Sequence, residues 1–275
     1  MELEDGRWYM VALGVRGDEK RGSNMGRETH LLPVVWEKEP FDWKEVQYEW
    51  PVVAPETGKL EVSYSVPFEG TTQKRSFTFS DDFEGEKLDL NWNFRRVPSD
   101  NMYSLTKRKS HLRLSCGKTA IANRTSASFI GFRQTESNFE YLTRMSFNPK
   151  RDGSEAGISL VQKDDNYLNF TIIKEKGSHF LQVVLVMPNT NPQVLKKMEL
   201  VDYDGSINLQ VLSLNHEYVF VYSMGNNELV EFHRSEAHHL LSKGYTGAFL
   251  GLYATGNGTK TKDFADFDFV EYKAY

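Results

Sequence analysis

From residue 60 onward, apolar and polar residues alternate with a period of two, and clusters of turn-forming residues interrupt the alternation at short intervals. The runs "KRSFTFSDDF", "HLRLSC", "NFEYLTRMSF", "AGISLVQ", "YLNFTIIK", "HFLQVVLVM", "SINLQVLS", "YVFVYSM", "AFLGLY" and "FADFDFVEY" all suit strands. They are bounded by "DDFEG", "PKRDG", "KEKG", "DYDG", "MGNN" and "GNGT". A strand that alternates must bury one face, and about ten such strands in sequence bury theirs best as two antiparallel sheets packed together. The expected fold is therefore all-β, a two-sheet jelly-roll sandwich. Helical periodicity is scarce: only "RSEAHHLLSKG" suits a turn or two, with Ser235 as its cap and Gly244 as its stop.

The first fifty residues differ in texture. "GRWYMVALGVRG" reads as a strand ending in a glycine turn, and "THLLPVVWE" as a second strand whose Pro33 fits an edge or a bulge better than a central ladder. Two or three strands cannot bury both faces alone, so they either pack on the sandwich or belong to a larger domain. Residues 51–75 carry prolines and glycines at intervals and read as a connector along a surface. The expected organisation is thus 1–50, 51–75 and 76–275.

The 33 basic residues against 38 acidic ones leave a formal charge of −5, and the basic clusters "TKRK" and "PKR" are short and isolated. No concentrated positive stripe offers itself to a nucleic-acid backbone. A single cysteine, Cys116, excludes an internal disulfide and a cysteine-based zinc site. The acidic opening "MELEDGRWYMVALG" lacks a basic segment followed by an apolar one, and no stretch approaches the roughly 18 apolar residues that cross a bilayer. The expectation is a cytoplasmic protein without membrane partners.

Of the chemistry-bearing residues, Arg27 in "NMGRET" stands out. It follows a glycine, where backbone approaches closely, and its guanidinium fork suits carboxylates or sugar hydroxyls. The plain alternative is a loop arginine paired with Glu28. His30 alternates with Glu28, and a lone histidine there reads as a packing residue. The adjacent His238 and His239 point different ways and make a poor metal pair. Asp82, with its neighbour Asp81, and the pair Asp266 and Asp268 are the acidic residues suited to a structural calcium, should the last strand return beside the first of the sandwich. Against that, Asp81 or Asp82 suits a bend, and Asp266 and Asp268 suit solvent, with Phe267 and Phe269 facing inward. No nucleophile elbow, H-E-x-x-H or phosphate-binding glycine loop occurs, and no carboxylate pair has a separation that spacing defines.

The pieces "GRWYMVALGVRG…NMGRETHLLPVVWE" closely resemble the last part of the five-bladed β-propeller catalytic domain of family 43 glycoside hydrolases, the β-xylosidase and α-arabinofuranosidase group. "FSDDFEGEKLDLNWNFRRVP", "SFIGFRQT", "EAGISLVQKDDNYLNF", "YTGAFLGLYATGNG" and "ADFDFVEY" resemble the concanavalin A-like sandwich that many of these enzymes carry at the C-terminus. The resemblance covers essentially the whole chain, and the pieces come in matching order.

The resemblance implies hydrolysis of β-1,4-linked xylose units from xylo-oligosaccharide ends with inversion, by an aspartate base, a glutamate acid and a second aspartate, and it places those three in earlier blades. No catalytic residue is therefore expected in this chain, which should be inactive alone, and no cofactor is required. Arg27 matches the arginine of the family's "GRET" segment, which reaches the sugar subsite, and Glu28 matches its structural neighbour. His30 stands where the family more often shows phenylalanine, while Trp8 and Trp36 match blade-core positions. Phe249, with Tyr245 as second choice, matches the aromatic loop that closes the pocket from the sandwich. The implied partners are xylo-oligosaccharide, when the full catalytic domain is present, and further copies of the chain as a homo-oligomer. A self-standing carbohydrate-binding sandwich is the alternative function.

Overall fold

A computed structural model of the chain describes residues 1–17, 22–38, 48–61, 63–64, 77–214, 216–225, 227–242 and 245–275. It divides into two compact units, each assembled from separate stretches of chain. The first is Met1–Arg16 with Arg27–Lys74, and the second is Gly17–Gly26 with Arg75–Tyr275.

In the first unit, β1 (Trp8–Gly14), β2 (Glu28–Lys38) and β3 (Glu49–Val53) form an antiparallel sheet in that order. Pro33 was expected on an edge or bulge but lies in the central strand. The register that pairs Val34 with Val53 sets Pro33 opposite Ala54, just past the end of β3, and the Pro33 carbonyl accepts the Ala54 N–H at 2.9 Å. Proline returns no donor. The Ala54 carbonyl instead accepts from Thr57 and Gly58, at 3.1 and 2.8 Å, as the chain turns away. The missing bond therefore falls where the ladder has already ended.

One face of this sheet presents Val11, Leu13, Val35 and Trp50 to solvent, at 62%, 69%, 44% and 56% exposure. Trp36 was expected in a core but is also exposed. It meets the edge of Trp8 with ring centroids 5.4 Å apart, and three strands supply too little cover to bury it.

The second unit begins with β4 (Thr78–Asp81), β5 (Asn93–Phe94), β6 (Tyr103–Ser104), β7 (Leu112–Ser115), β8 (Ser128–Arg133), β9 (Phe139–Ser146) and β10 (Glu155–Lys163). It continues through β11 (Asn166–Glu175), β12 (Ser178–Val186), β13 (Gln193–Glu199) and β14 (Ser206–Leu214). The last strands are β15 (Glu217–Ser223), β16 (Val230–Glu236), β17 (Phe249–Thr255) and β18 (Phe264–Ala274). One sheet runs β13-β12-β11-β10-β17-β8-β5. The other runs β16-β15-β14-β9-β18-β7-β6, with β4 also paired to β18. Alternation works as expected: Ala156, Ile158 and Leu160 of β10 enter the core between the sheets, beside Leu168, Phe170 and Ile172 of β11. The opposite face of the same strands is also covered, and there Ser159 donates to Asn169 at 2.6 Å and Thr171 to Glu155 at 2.7 Å.

Two expectations fail locally. Phe269 does not continue the inward face of Phe267, because the register slips between them and Asp268 is an extra residue in the ladder. A bulge of this kind flips the alternation, so Val270 and Tyr272 take over the core side. In "RSEAHHLL" the expected turn forms as a short 3₁₀ turn at Ala237–Leu240, but its cap residue is Glu236, and Ser235 lies buried in β16 instead. Arg234 and Ser235 keep pairing with Val219 and Tyr218, so the ladder outweighs helix propensity there. The expected stop, Gly244, lies outside the described residues.

Candidate functional site

Gly22–Gly26, the stretch directly before Arg27, is buried at every residue. It lies against the sandwich loop that leads into β17. Ser23 and Ser242 exchange backbone hydrogen bonds at 3.2 and 3.1 Å, Ala248 N–H donates to the Asn24 carbonyl at 2.6 Å, and Gly26 forms a bridge with Thr246. Glycine is required on both sides of this contact. A Cβ on Gly26, whose φ is +70°, would stand 2.4 Å from the Gly247 nitrogen, and one on Gly247 would stand 2.3 Å from the Asn24 oxygen. The close approach expected after "NMG" is thus made to another backbone.

Side chains complete the grip. Asn24 Nδ2 donates to Tyr218 Oη at 3.1 Å and to the Ala237 carbonyl at 3.0 Å, and the Tyr218 hydroxyl donates to Gln134 Oε1 at 3.0 Å. Burial pushes the Tyr218 phenol far above its ordinary pKa, which keeps its proton in place for that bond. Gln134 Nε2 donates in turn to the Glu136 carbonyl at 2.9 Å, and Arg133 Nε donates to the Met25 carbonyl at 3.1 Å. Sequence reasoning passed over Asn24, Tyr218, Gln134 and Arg133. The available signal was an asparagine between two closely spaced glycines, but its partners lie more than a hundred residues away.

Arg27 leaves this stretch exposed to solvent. Glu28 accepts the fork of Arg16, Nε and Nη2 each at 2.7 Å from one carboxylate oxygen. His30 is half-buried; Gly14 packs so close that a Cβ there would lie 2.6 Å from the imidazole Cδ2, and His30 Nε2 has no hydrogen-bond partner. The two aromatic candidates flank the loop that holds Gly26. Tyr245 precedes Thr246 and is 73% exposed, whereas Phe249 opens β17 half-buried, paired across the ladders with Val161 and Arg133.

The acidic candidates occupy different surroundings. Asp82 Oδ1 accepts the Glu84 amide at 3.1 Å in a side-chain turn, on the wall of a cavity of about 470 Å³ with Asp81, Asp89 and Glu271. Asp266, expected in solvent, is buried: Arg113 grips it at 2.6 and 2.8 Å and stacks on the Phe264 ring at 3.6 Å. Asp268 lies 3.8 Å from both His111 Nε2 and Arg144 Nη1. Among the described residues, no three His, Cys, Asp or Glu side chains gather in a way that could hold a metal ion, and no helix is long and apolar enough to cross a membrane.

Two antiparallel sheets packed face to face, preceded by a few propeller-like strands, define a concanavalin A-like sandwich with the end of a propeller before it. The chain belongs to the family described as the beta xylosidase C-terminal concanavalin A-like domain, whose model matches residues 80–273. Over 99% of its length it is 28% identical to the non-reducing end alpha-L-arabinofuranosidase BoGH43B of Bacteroides ovatus, covering 50% of that protein. It is 29% identical over 96% of its length to a xylosidase/arabinosidase of Butyrivibrio fibrisolvens, again covering 50%. The solved structure of the Bacteroides ovatus xyloglucan PUL GH43B matches all of this chain with a TM-score of 0.83 at 28% identity, and 52% of that chain is covered. The chain thus spans about half the length of these relatives.

Proposed function

We propose that this chain is the C-terminal accessory portion of a family 43 glycosidase acting on xylo-oligosaccharides, and that it supplies one wall of the sugar pocket while the catalytic carboxylates lie elsewhere. Arg27 offers its guanidinium fork to sugar hydroxyls, and Phe249, with Tyr245 as second choice, is the aromatic residue that the family resemblance assigns to the sugar. Glu28 and His30 support the segment that carries Arg27. The observation that carries this reading is the burial of Gly22–Gly26 against the loop between Tyr245 and Phe249, directly before Arg27.

The test is an assay of the purified chain on 4-nitrophenyl β-D-xyloside, joined to calorimetric titration with xylotriose, for the parent and for Arg27→Ala. The expected outcome is no turnover in either, weak xylotriose binding by the parent, and about tenfold weaker binding by the variant, equivalent to roughly 1.4 kcal/mol. Turnover above a catalyst-free control would place the chemistry inside this chain. Equal xylotriose affinity in the two proteins would remove Arg27 from the pocket.

A further inference from the structure

Between Gly22 and Gly26 the chain lies in the sandwich much as an extended peptide lies in a groove. Its polar anchor is Asn24, whose two amide hydrogens each meet a buried acceptor, Tyr218 Oη and the Ala237 carbonyl. Backbone bonds fix both flanks, through Ser23 to Ser242 and through the Asn24 carbonyl to Ala248, and Gly26 donates back to Ser23 at 3.4 Å. Only Met25 and Gly26 separate this anchor from Arg27, and both are pinned: the Met25 carbonyl by Arg133, and Gly26 by its bridge to Thr246.

We infer that Asn24 is a positioning residue for Arg27: by filling the hydrogen-bonding capacity of Tyr218 and Ala237, it fixes the backbone from which the arginine emerges. The inference rests on the proposed sugar contact of Arg27. A long flexible side chain loses less freedom on binding when its Cα is already immobile, so anchoring at Asn24 translates into affinity at Arg27. The chemistry also explains the residue type. Asparagine brings two donors to two acceptors, whereas aspartate, of the same shape, brings only acceptors and would set a negative charge against the Ala237 carbonyl. Tyr218 in turn commits its own proton to Gln134, so it has only an acceptor to offer Asn24.

The experiment uses the full chain in four forms, parent, Asn24→Asp, Tyr218→Phe and Arg27→Ala, together with the two double variants that add Arg27→Ala. Amide hydrogen exchange is read by mass spectrometry, and xylotriose affinity by calorimetry. Exchange in residues 22–26 is expected to quicken at least tenfold in Asn24→Asp and less in Tyr218→Phe, with residues 156–161 of β10 unchanged. Xylotriose affinity is expected to fall in Asn24→Asp by about the factor seen in Arg27→Ala, with no further loss in the double variant. Unaltered exchange at 22–26 overturns the inference, as does a uniform rise that includes β10, and so does an affinity loss that adds in full to that of Arg27→Ala. Tyr218→Phe decides the matter should Asn24→Asp fail to fold. Unchanged binding in Arg27→Ala would defeat the proposed function, and the exchange data would then decide by themselves whether Asn24 anchors the segment.

Discussion

The indole N–H of Trp92 donates to Asp81 Oδ2 at 2.7 Å, while Oδ1 of the same carboxylate accepts the Phe83 amide at 2.8 Å. One aspartate thereby closes a turn and satisfies the polar atom of a core tryptophan, which packs edge-on to Phe79 at 5.3 Å and to Phe132 at 5.7 Å. Asp81→Ala leaves both donors short of a partner and is expected to cost about 1–3 kcal/mol. Urea unfolding followed by tryptophan fluorescence reads this as a lower midpoint with an unchanged slope. A midpoint equal to the parent's would show that water replaces the carboxylate without loss.

Gly247→Ala tests the close contact at the buried segment. Its Cβ has no room beside Asn24 and Met25, so the variant is expected to lose about 1–3 kcal/mol. Proteolysis should then cut between residues 17 and 31 before it cuts the sandwich strands. Gly117→Ala is the control, since a Cβ there meets only Ser128 Oγ at 3.6 Å and should change stability by less than about 0.5 kcal/mol. Equal cutting patterns in Gly247→Ala and the parent would contradict the packing described.

Asp164 supplies a pH-dependent term. Hydrogen bonds from Arg96 and Arg95 hold its carboxyl down from the usual 3.8 to about 2. With the folded-state value below the unfolded one, the stabilisation is fully present above about pH 4 and disappears as the pH falls through 2. After allowance for solvent screening it amounts to roughly 1–2 kcal/mol. Asp164→Asn should therefore be less stable than the parent at pH 7 and converge on it near pH 2. A stability difference that persists unchanged to pH 2 would assign the loss to something other than charge.

Cys116 is fully buried, and desolvation, with lesser contributions from Asp263 and Glu155, pushes its thiol pKa far upward. A thiol held protonated and out of reach does not react. The native chain is expected to take up no maleimide over an hour at pH 7.5 and one equivalent after denaturation. Prompt labelling of the native chain would mean that the strand end at Ser115 opens.

Much of the sandwich was legible because period-two alternation encodes which face of a strand is dry, as Ala156, Ile158 and Leu160 show. Alternation carries no warning of a bulge, so Phe269 was misplaced, and the turn expected to be capped by Ser235 starts one residue later because pairing with Tyr218 keeps Ser235 in a strand. The buried state of Asp266 depends on Arg113, a residue 153 positions away, and such pairings leave no local trace. The same holds at the candidate site: "GRET" marked Arg27, but nothing near Asn24 in the sequence points to Tyr218 or Gln134. Pro33 teaches the converse, since its rule was sound and only the place where β3 stops made a central position tolerable.

Asn24 and Tyr218 are 194 residues apart in the chain. At a synthesis rate of about 5–20 residues per second, the ribosome delivers the asparagine roughly 10–40 s before the tyrosine that receives it. Throughout that interval Met25 has no completed sandwich to enter. Docking of residues 22–26 therefore waits for strands made well after them, and a segment already synthesised is captured by one that follows.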